Sequence, residues 1–358
     1  MLKMRILIDA GVPKDSLMAA SFYKKLVKRG HETFVTARKY ESTAVLLEYF
    51  DVPYKEIGQY GGKTLKGKLL ADLKRAIELT NYISELDRID LVIHFANPAA
   101  ARVAFGLGIP QIVLEDTPHA TIVHRLTFSL ATYGITPKCF PRDLLVHIID
   151  PDRLIQYDGV DPIEWITTFS PDKQFLRMLG LNESEPIVIL RPAETYAYYY
   201  LQYSSGSPLL FEEKLIKSIL SAFPDTQIVV FPRYEDQKKI LRDKFGERLK
   251  IPHKYIPAFN IIAYSTVVIT GGGTIVEEGG LYGVPSIYFF PKKLSYAEYL
   301  KNKGLPVFHL TKPEEIIDTT LLILRDPDRY RVDAKPIISR FEKPSDKIFK
   351  LLEVLRTR

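Results

Sequence analysis

The feature that most constrains this chain is an alternation. Short apolar runs take turns with longer stretches whose apolar residues recur at helical spacing, and the pattern persists along the 358 residues. A strand covered on both faces reads as an unbroken apolar run, and two parallel strands need a crossover, usually a helix, between them. The rhythm therefore predicts an α/β protein built on parallel sheets.

Strands are expected over residues 4–9, 32–37, 90–95 and 110–114, with helices over 16–29, 43–50, 65–86 and 98–107. Gly30 and Gly108 stand where two of these helices should stop. Residues 137–172 contain Pro141, Pro151, Pro162 and Pro171 and show no clear period. The rhythm then restarts, with strands over 186–190, 226–231, 266–270, 286–290 and 307–310. Helices are expected over 209–223, 235–245, 274–282 and 313–324, and a last one over 345–355. Such a length suits two domains. The expected division is a Rossmann-like domain over 1–169, a second over 170–340, and a C-terminal helix over 341–358 that packs back on the first.

Composition narrows the partners. A single cysteine, Cys139, permits no internal disulfide, which fits a reducing compartment and points to the cytoplasm. No stretch of about 18 apolar residues is present, so a soluble protein with at most peripheral membrane contact is expected. The net charge of +6 suits phosphate-bearing ligands or anionic surfaces. Without a Lys/Arg block or an RNA-binding motif, nucleic acid is not an expected partner. No Cys/His cluster has zinc-ligand spacing, and neither a metal nor a cofactor is expected.

Residues 267–286, VVITGGGTIVEEGGLYGVPS, carry the strongest chemical signal. An apolar strand ends in Gly271, Gly272 and Gly273, and a helix follows. Glycines permit a sharp turn and a close ligand approach, and the free amides of a helix start attract phosphate. Thr274 is expected as the N-cap, with Glu277 completing a capping box. Glu278, one step on, is then left to meet a ribose diol. Arg191 and Glu194 follow the first strand of the second half, where an arginine fork suits phosphate. In the first half, Asp9 ends the opening strand, at the sheet edge where doubly wound folds bind ligands. Glu115, Asp116 and His119 cluster after another strand and form a candidate acid/base group. His124 is assigned to the following helix. Residues 196–203, YAYYYLQY, offer aromatic surface for a base, a sugar or a lipid acceptor, or simply a half-buried face.

The glycine-rich turn, with Glu278, Gly283 and Pro285 at their spacing, resembles the nucleotide-sugar site of the GT-B superfamily. That group includes the UDP-N-acetylglucosamine 2-epimerases and the lipid-linked N-acetylglucosaminyltransferase of peptidoglycan synthesis. The resemblance implies two Rossmann-like parallel-sheet domains facing a cleft. It also implies a ribose contact at Glu278 and a diphosphate held by Gly271, Gly272, Gly273 and Thr274. Glu115 falls where the epimerases keep a functional Glu. The segment His94-Phe-Ala-Asn97 departs from their His-Gly-Asp. Over nearly its whole length the chain resembles the DUF354 family (domain of unknown function 354), grouped with GT-B proteins. The implied activity is metal-independent transfer of a sugar from a nucleotide diphosphate-sugar, UDP-linked by analogy, to an unknown and possibly lipid-linked acceptor. A UDP-N-acetylglucosamine 2-epimerase and a non-catalytic nucleotide-sugar binding protein are the alternatives.

Overall fold

A computed structural model describes residues 3–62, 64–193 and 209–355. The chain divides into two compact units, one of Met1–Phe169 with Phe341–Arg358, the other of Ser170–Arg340. Each is a parallel sheet with helices in the crossovers, so each is Rossmann-like.

In the first unit the strands are β1 (Arg5–Ala10), β2 (Glu32–Lys39), β3 (Lys55–Gln59), β4 (Leu91–His94), β5 (Gln111–Leu114), β6 (Tyr133–Pro137) and β7 (Leu154–Tyr157). Their spatial order is β3-β2-β1-β4-β5-β6-β7, with every pair parallel. The order reverses between β1 and β4, and in such sheets ligands bind beyond the carboxyl ends of the strands at that switch. The central strands are apolar because helices cover both faces: Ile6, Ile8, Leu91 and Ile93 are fully buried.

The second unit contains β8 (Ile187–Arg191), β9 (Gln227–Val230), β10 (Leu249–Lys250), β11 (Val267–Thr270), β12 (Ser286–Tyr288) and β13 (Val307–His309). They form a parallel sheet in the order β10-β9-β8-β11-β12-β13. Val188, Leu190, Ile228, Val230 and Ile269 join the helices Leu210–Ala222 and Pro313–Arg325 in one core.

Three strands go beyond the sequence expectation for the first unit. β3 lies at a sheet edge and buries only Ile57 fully, so its apolar period is lost. β6 ends in Pro137 and β7 follows Pro151, so prolines that read as separators delimit short strands instead. The helix Ser295–Asn302 in the second unit was equally unassigned.

The return of the chain to the first unit has a chemical anchor. Glu164 is fully buried. Its carboxylate accepts from Ser21 Oγ at 2.8 Å, from Lys25 Nζ at 2.5 Å and from the Ser345 amide at 3.1 Å. That last bond seats the start of the helix Pro344–Leu355.

At the end of β1, Asp9 is fully buried and its carboxylate receives both Arg75 Nη1 (3.0 Å) and Nη2 (2.6 Å). Thr36 Oγ1 donates to the same group at 2.7 Å. Removing one partner of a buried pair strands a charge, whereas replacing both is far milder. Arg75→Met should therefore destabilise by about 3–5 kcal/mol in urea unfolding, and adding Asp9→Asn should recover about half of the loss.

Candidate functional site

Beyond the carboxyl ends of β1, β2, β4 and β5, the first unit holds a cavity of ≈ 570 Å³. Its wall includes Lys14, Asp15, Arg38, Asn97, Asp116 and Asp161, and also Glu115 and Arg75. The loop after β1 shapes one side. Asp15 Oδ2 accepts from the amides of Gly11 (2.9 Å) and Val12 (3.1 Å), and Arg38 Nε donates to the Gly11 carbonyl at 2.9 Å. Burial pushes the Asp15 carboxyl up to about 7, against the pull of those amides and of Lys14. A carboxyl at that value exchanges its proton near neutrality.

Lys14 holds the opposite side together. Its ammonium meets Asp116 Oδ2, and Asp161 Oδ2 at 2.7 Å. Tyr157 donates its hydroxyl to Asp161 Oδ1. Burial raises the Asp161 carboxyl above its ordinary range, Lys14 opposes this, and the charge of Asp116 adds to it.

Glu115 follows β5. Its Oε1 accepts from the amides of Asp116 (2.9 Å) and Thr117 (2.7 Å), and its Oε2 lies 3.6 Å from His124 Nε2. The expected trio is thus corrected in one member. His119 is exposed, while the imidazole beside Glu115 is His124, buried in the helix Thr121–Thr127. A turn places residues four apart on different sides, so spacing alone chose the wrong histidine. Asp9, expected at a ligand-binding edge, is instead fully buried with both oxygens on Arg75 and does not line the cavity, so it positions Arg75.

After β4 the backbone turns through Ala96 at φ 44°, a strained conformation of the kind that clusters at functional sites. Burial pushes His94 down, so the ring is neutral. Nδ1 accepts from the Asn97 amide (3.1 Å), and Nε2 therefore donates to Gln111 Oε1 (2.8 Å). Asn97 Oδ1 caps the helix Pro98–Gly106 at Ala99 and Ala100.

In the second unit the glycine-rich turn leaves β11 beside β8. The Gly271 amide donates to the Arg191 carbonyl at 3.1 Å. A Cβ on Gly271 would stand 2.6 Å from Ala193 Cα, so only glycine fits. Gly272 and Gly273 take φ of 119° and 91°, which side-chain-bearing residues rarely adopt. Gly273 is the N-cap of the helix Thr274–Leu281, and Thr274 is its first helical residue. The expected capping box does not form, because a cap at Gly273 offers no side chain. Glu277 and Glu278 are both buried. Burial, and then the charge of Glu278, pushes the Tyr282 phenol up.

One residue here escaped the sequence reading. Arg233 follows β9, and its Nη2 lies 3.9 Å from where a Cβ on Gly273 would be. Its Nε donates to the Pro192 carbonyl at 3.3 Å. The signal was available: Phe231-Pro-Arg233 leaves a strand beside the one carrying Arg191. Glu194 and the tyrosine-rich 196–203 lie outside the described residues. Among the described residues no group of His, Cys, Asp and Glu has the arrangement to hold a metal ion. No helix among them is long and apolar enough to cross a membrane.

Residues 5–352 match the family model described as "Protein of unknown function (DUF354)". The chain belongs to the DUF354 family. A relative, protein MJ0665 of Methanocaldococcus jannaschii, is 31% identical over 302 residues, covering 82% of this chain and 84% of its own. Among solved structures, the UDP-GlcNAc 2-epimerase of Neisseria meningitidis bound to UDP-GlcNAc superposes with a TM-score of 0.71 at 17% identity, covering 99% of this chain and 100% of that one. The spinosyn forosaminyltransferase SpnP superposes with a TM-score of 0.64 at 15% identity, covering 99% and 100%. At these identities the likeness shows the fold: this DUF354 chain is GT-B-like.

Asp15 makes the stability of this DUF354 protein depend on pH. Its folded value lies above the ordinary carboxylate value, so the stability it contributes is present at low pH and is lost as pH rises through about 7. Urea unfolding of the wild type and of Asp15→Asn should show the wild type losing about 3 kcal/mol relative to the variant between about pH 5 and about pH 8. Parallel pH curves would show that Asp15 is an ordinary carboxylate.

Proposed function

We propose that this protein is a glycosyltransferase that uses a nucleotide diphosphate-sugar and needs no metal ion. The observation that carries the reading is the start of the helix Thr274–Leu281. Gly272 and Gly273, in left-handed conformations, lead into its first turn with no side chain of their own, and Arg233 Nη2 lies 3.9 Å from where a Cβ on Gly273 would be. Helix amides and a planar cationic fork together match a diphosphate. As the sugar leaves, charge grows on that diphosphate, and donors already aimed at it stabilise the transition state without reorganising. Arg191 supplies a second cation on the neighbouring strand end, and Glu278 is assigned to the ribose.

The first unit supplies the proton acceptor. Asp15 is proposed as the base that takes the proton of the acceptor hydroxyl, because its value near 7 suits both holding and releasing a proton. Lys14, bridging Asp116 and Asp161, holds the cavity wall around it. An epimerase reading is less well supported. The segment His94-Phe-Ala-Asn97 lacks the acid of the epimerases' His-Gly-Asp, and the Asn97 side chain is spent on capping a helix.

A thermal-shift panel of nucleotide sugars tests the donor site. One UDP-linked sugar should raise the melting temperature, and Arg233→Ala should weaken that binding by about tenfold or more. Wild-type protein that answers to none of the panel overturns the reading. With donor and acceptor present, Asp15→Asn should lower turnover by about 100-fold and remove the pH limb near neutrality. Conversion of UDP-N-acetylglucosamine to free UDP and an epimerised sugar without an acceptor would instead establish the epimerase reading.

A further inference from the structure

The helix Leu65–Glu85 turns two faces to two environments. Arg75, Leu79 and Ile83 are buried, the latter two against Ala99, Ala100 and Val103 of the helix Pro98–Gly106. Leu65, Leu69, Leu73 and Ile77 are exposed, Leu65 to 86%. The apolar surface continues onto the neighbouring helices. Phe105 is exposed at the end of Pro98–Gly106, and Ile122 (74%) and Leu126 are exposed on Thr121–Thr127, which packs beside it. A surface of this composition, spread over three adjacent helices, is a marker of an interaction site.

Its charge chooses the partner. Lys66, Lys68, Lys74, Arg102 and Arg125 are exposed among these apolar side chains. The helices Pro98–Gly106 and Thr121–Thr127 contain no acidic residue. On the long helix, Asp72 lines the cavity, Glu78 accepts from the Gly58 amide at 2.8 Å, and the third acid, Glu85, is its last residue, at the end away from Leu65 and Leu69. Two copies of such a face would set cation against cation, which disfavours self-association. Apolar side chains that enter an interface, ringed by cations on flexible stems, instead match an anionic lipid surface.

We propose that this three-helix face docks on an anionic bilayer. The docking needs no nucleotide sugar. Its consequence for the acceptor does rest on the transferase reading: Lys68, Ala71 and Leu126 belong to these same helices and line the cavity, so an acceptor carried by the bilayer reaches the cavity from its rim.

Cosedimentation with vesicles tests the surface. Wild-type protein should sediment with vesicles of equal parts phosphatidylglycerol and phosphatidylcholine, less so as salt is raised, and poorly with phosphatidylcholine alone. Leu69→Glu/Leu73→Glu, and independently Ile122→Glu, should lower partitioning by about tenfold or more, and Lys66→Glu/Lys74→Glu should remove the preference for anionic lipid. These side chains are exposed, so the variants should keep the wild-type melting temperature and the wild-type response to nucleotide sugars. Wild-type protein that stays in the supernatant, or variants that bind like wild type, would overturn the proposal. So would a wild-type dimer in light scattering that Leu69→Glu/Leu73→Glu dissolves, since the face would then belong to a second copy. A nucleotide-sugar response without vesicle binding rejects this surface alone, and vesicle binding without that response rejects the transferase reading alone.

Discussion

A charge sits at the carboxyl end of β1, where nothing but protein surrounds it. Asp9 cannot remain there uncompensated, because an isolated carboxylate in a dry interior is expensive. Arg75 answers it with two bonds, and Arg75 Nε also reaches the Ile57 carbonyl at 3.0 Å. Gly58 makes room, since a Cβ there would strike the Arg75 side chain at 2.6 Å. One guanidinium thus ties β1, β3 and the helix Leu65–Glu85 together, and Thr36 adds β2. The loop that follows Asp9 inherits that fixed origin. Gly11, Lys14 and Asp15 line the cavity directly beyond that bonded strand end.

The two units carry opposite chemistry. The first collects carboxyls in one cavity and holds Asp15, Asp72 and Asp161 above their ordinary range by burial. The second offers a helix start preceded by three glycines, with Arg233 Nη2 close to Gly273. An acid-rich cavity suits taking a proton, and cationic amide-rich geometry suits stabilising a leaving diphosphate. Those are the two chemistries that the proposed transfer requires.

Much of the fold was legible because its signals are local. Unbroken apolar runs marked β1, β4, β5, β8 and β11, since strands covered on both faces carry no polar alternation. The prolines of residues 137–172 misled, because Pro137 and Pro151 border short strands. The site was legible in outline only. The three glycines announced their turn, but the cap fell at Gly273, because the helical backbone already begins at Thr274. Asp9 looked like a free carboxylate at a ligand-binding edge. Its partner lies 66 positions away, beyond any local pattern. His119 was preferred to His124 because it is nearer to Glu115 in the chain, whereas a helical turn brings the farther ring back.

Sequence alone determined what short-range physics controls: the α/β class, the parallel strands, the place of the glycine turn and the absence of disulfide chemistry. Tertiary structure alone decided which charges meet. Lys14 between Asp116 and Asp161, Arg75 on Asp9 and Arg233 beside Gly273 all join segments far apart in the chain. The raised proton affinity of Asp161 follows from that company and from burial. Neither can be read from residue order, because electric fields and desolvation act through space.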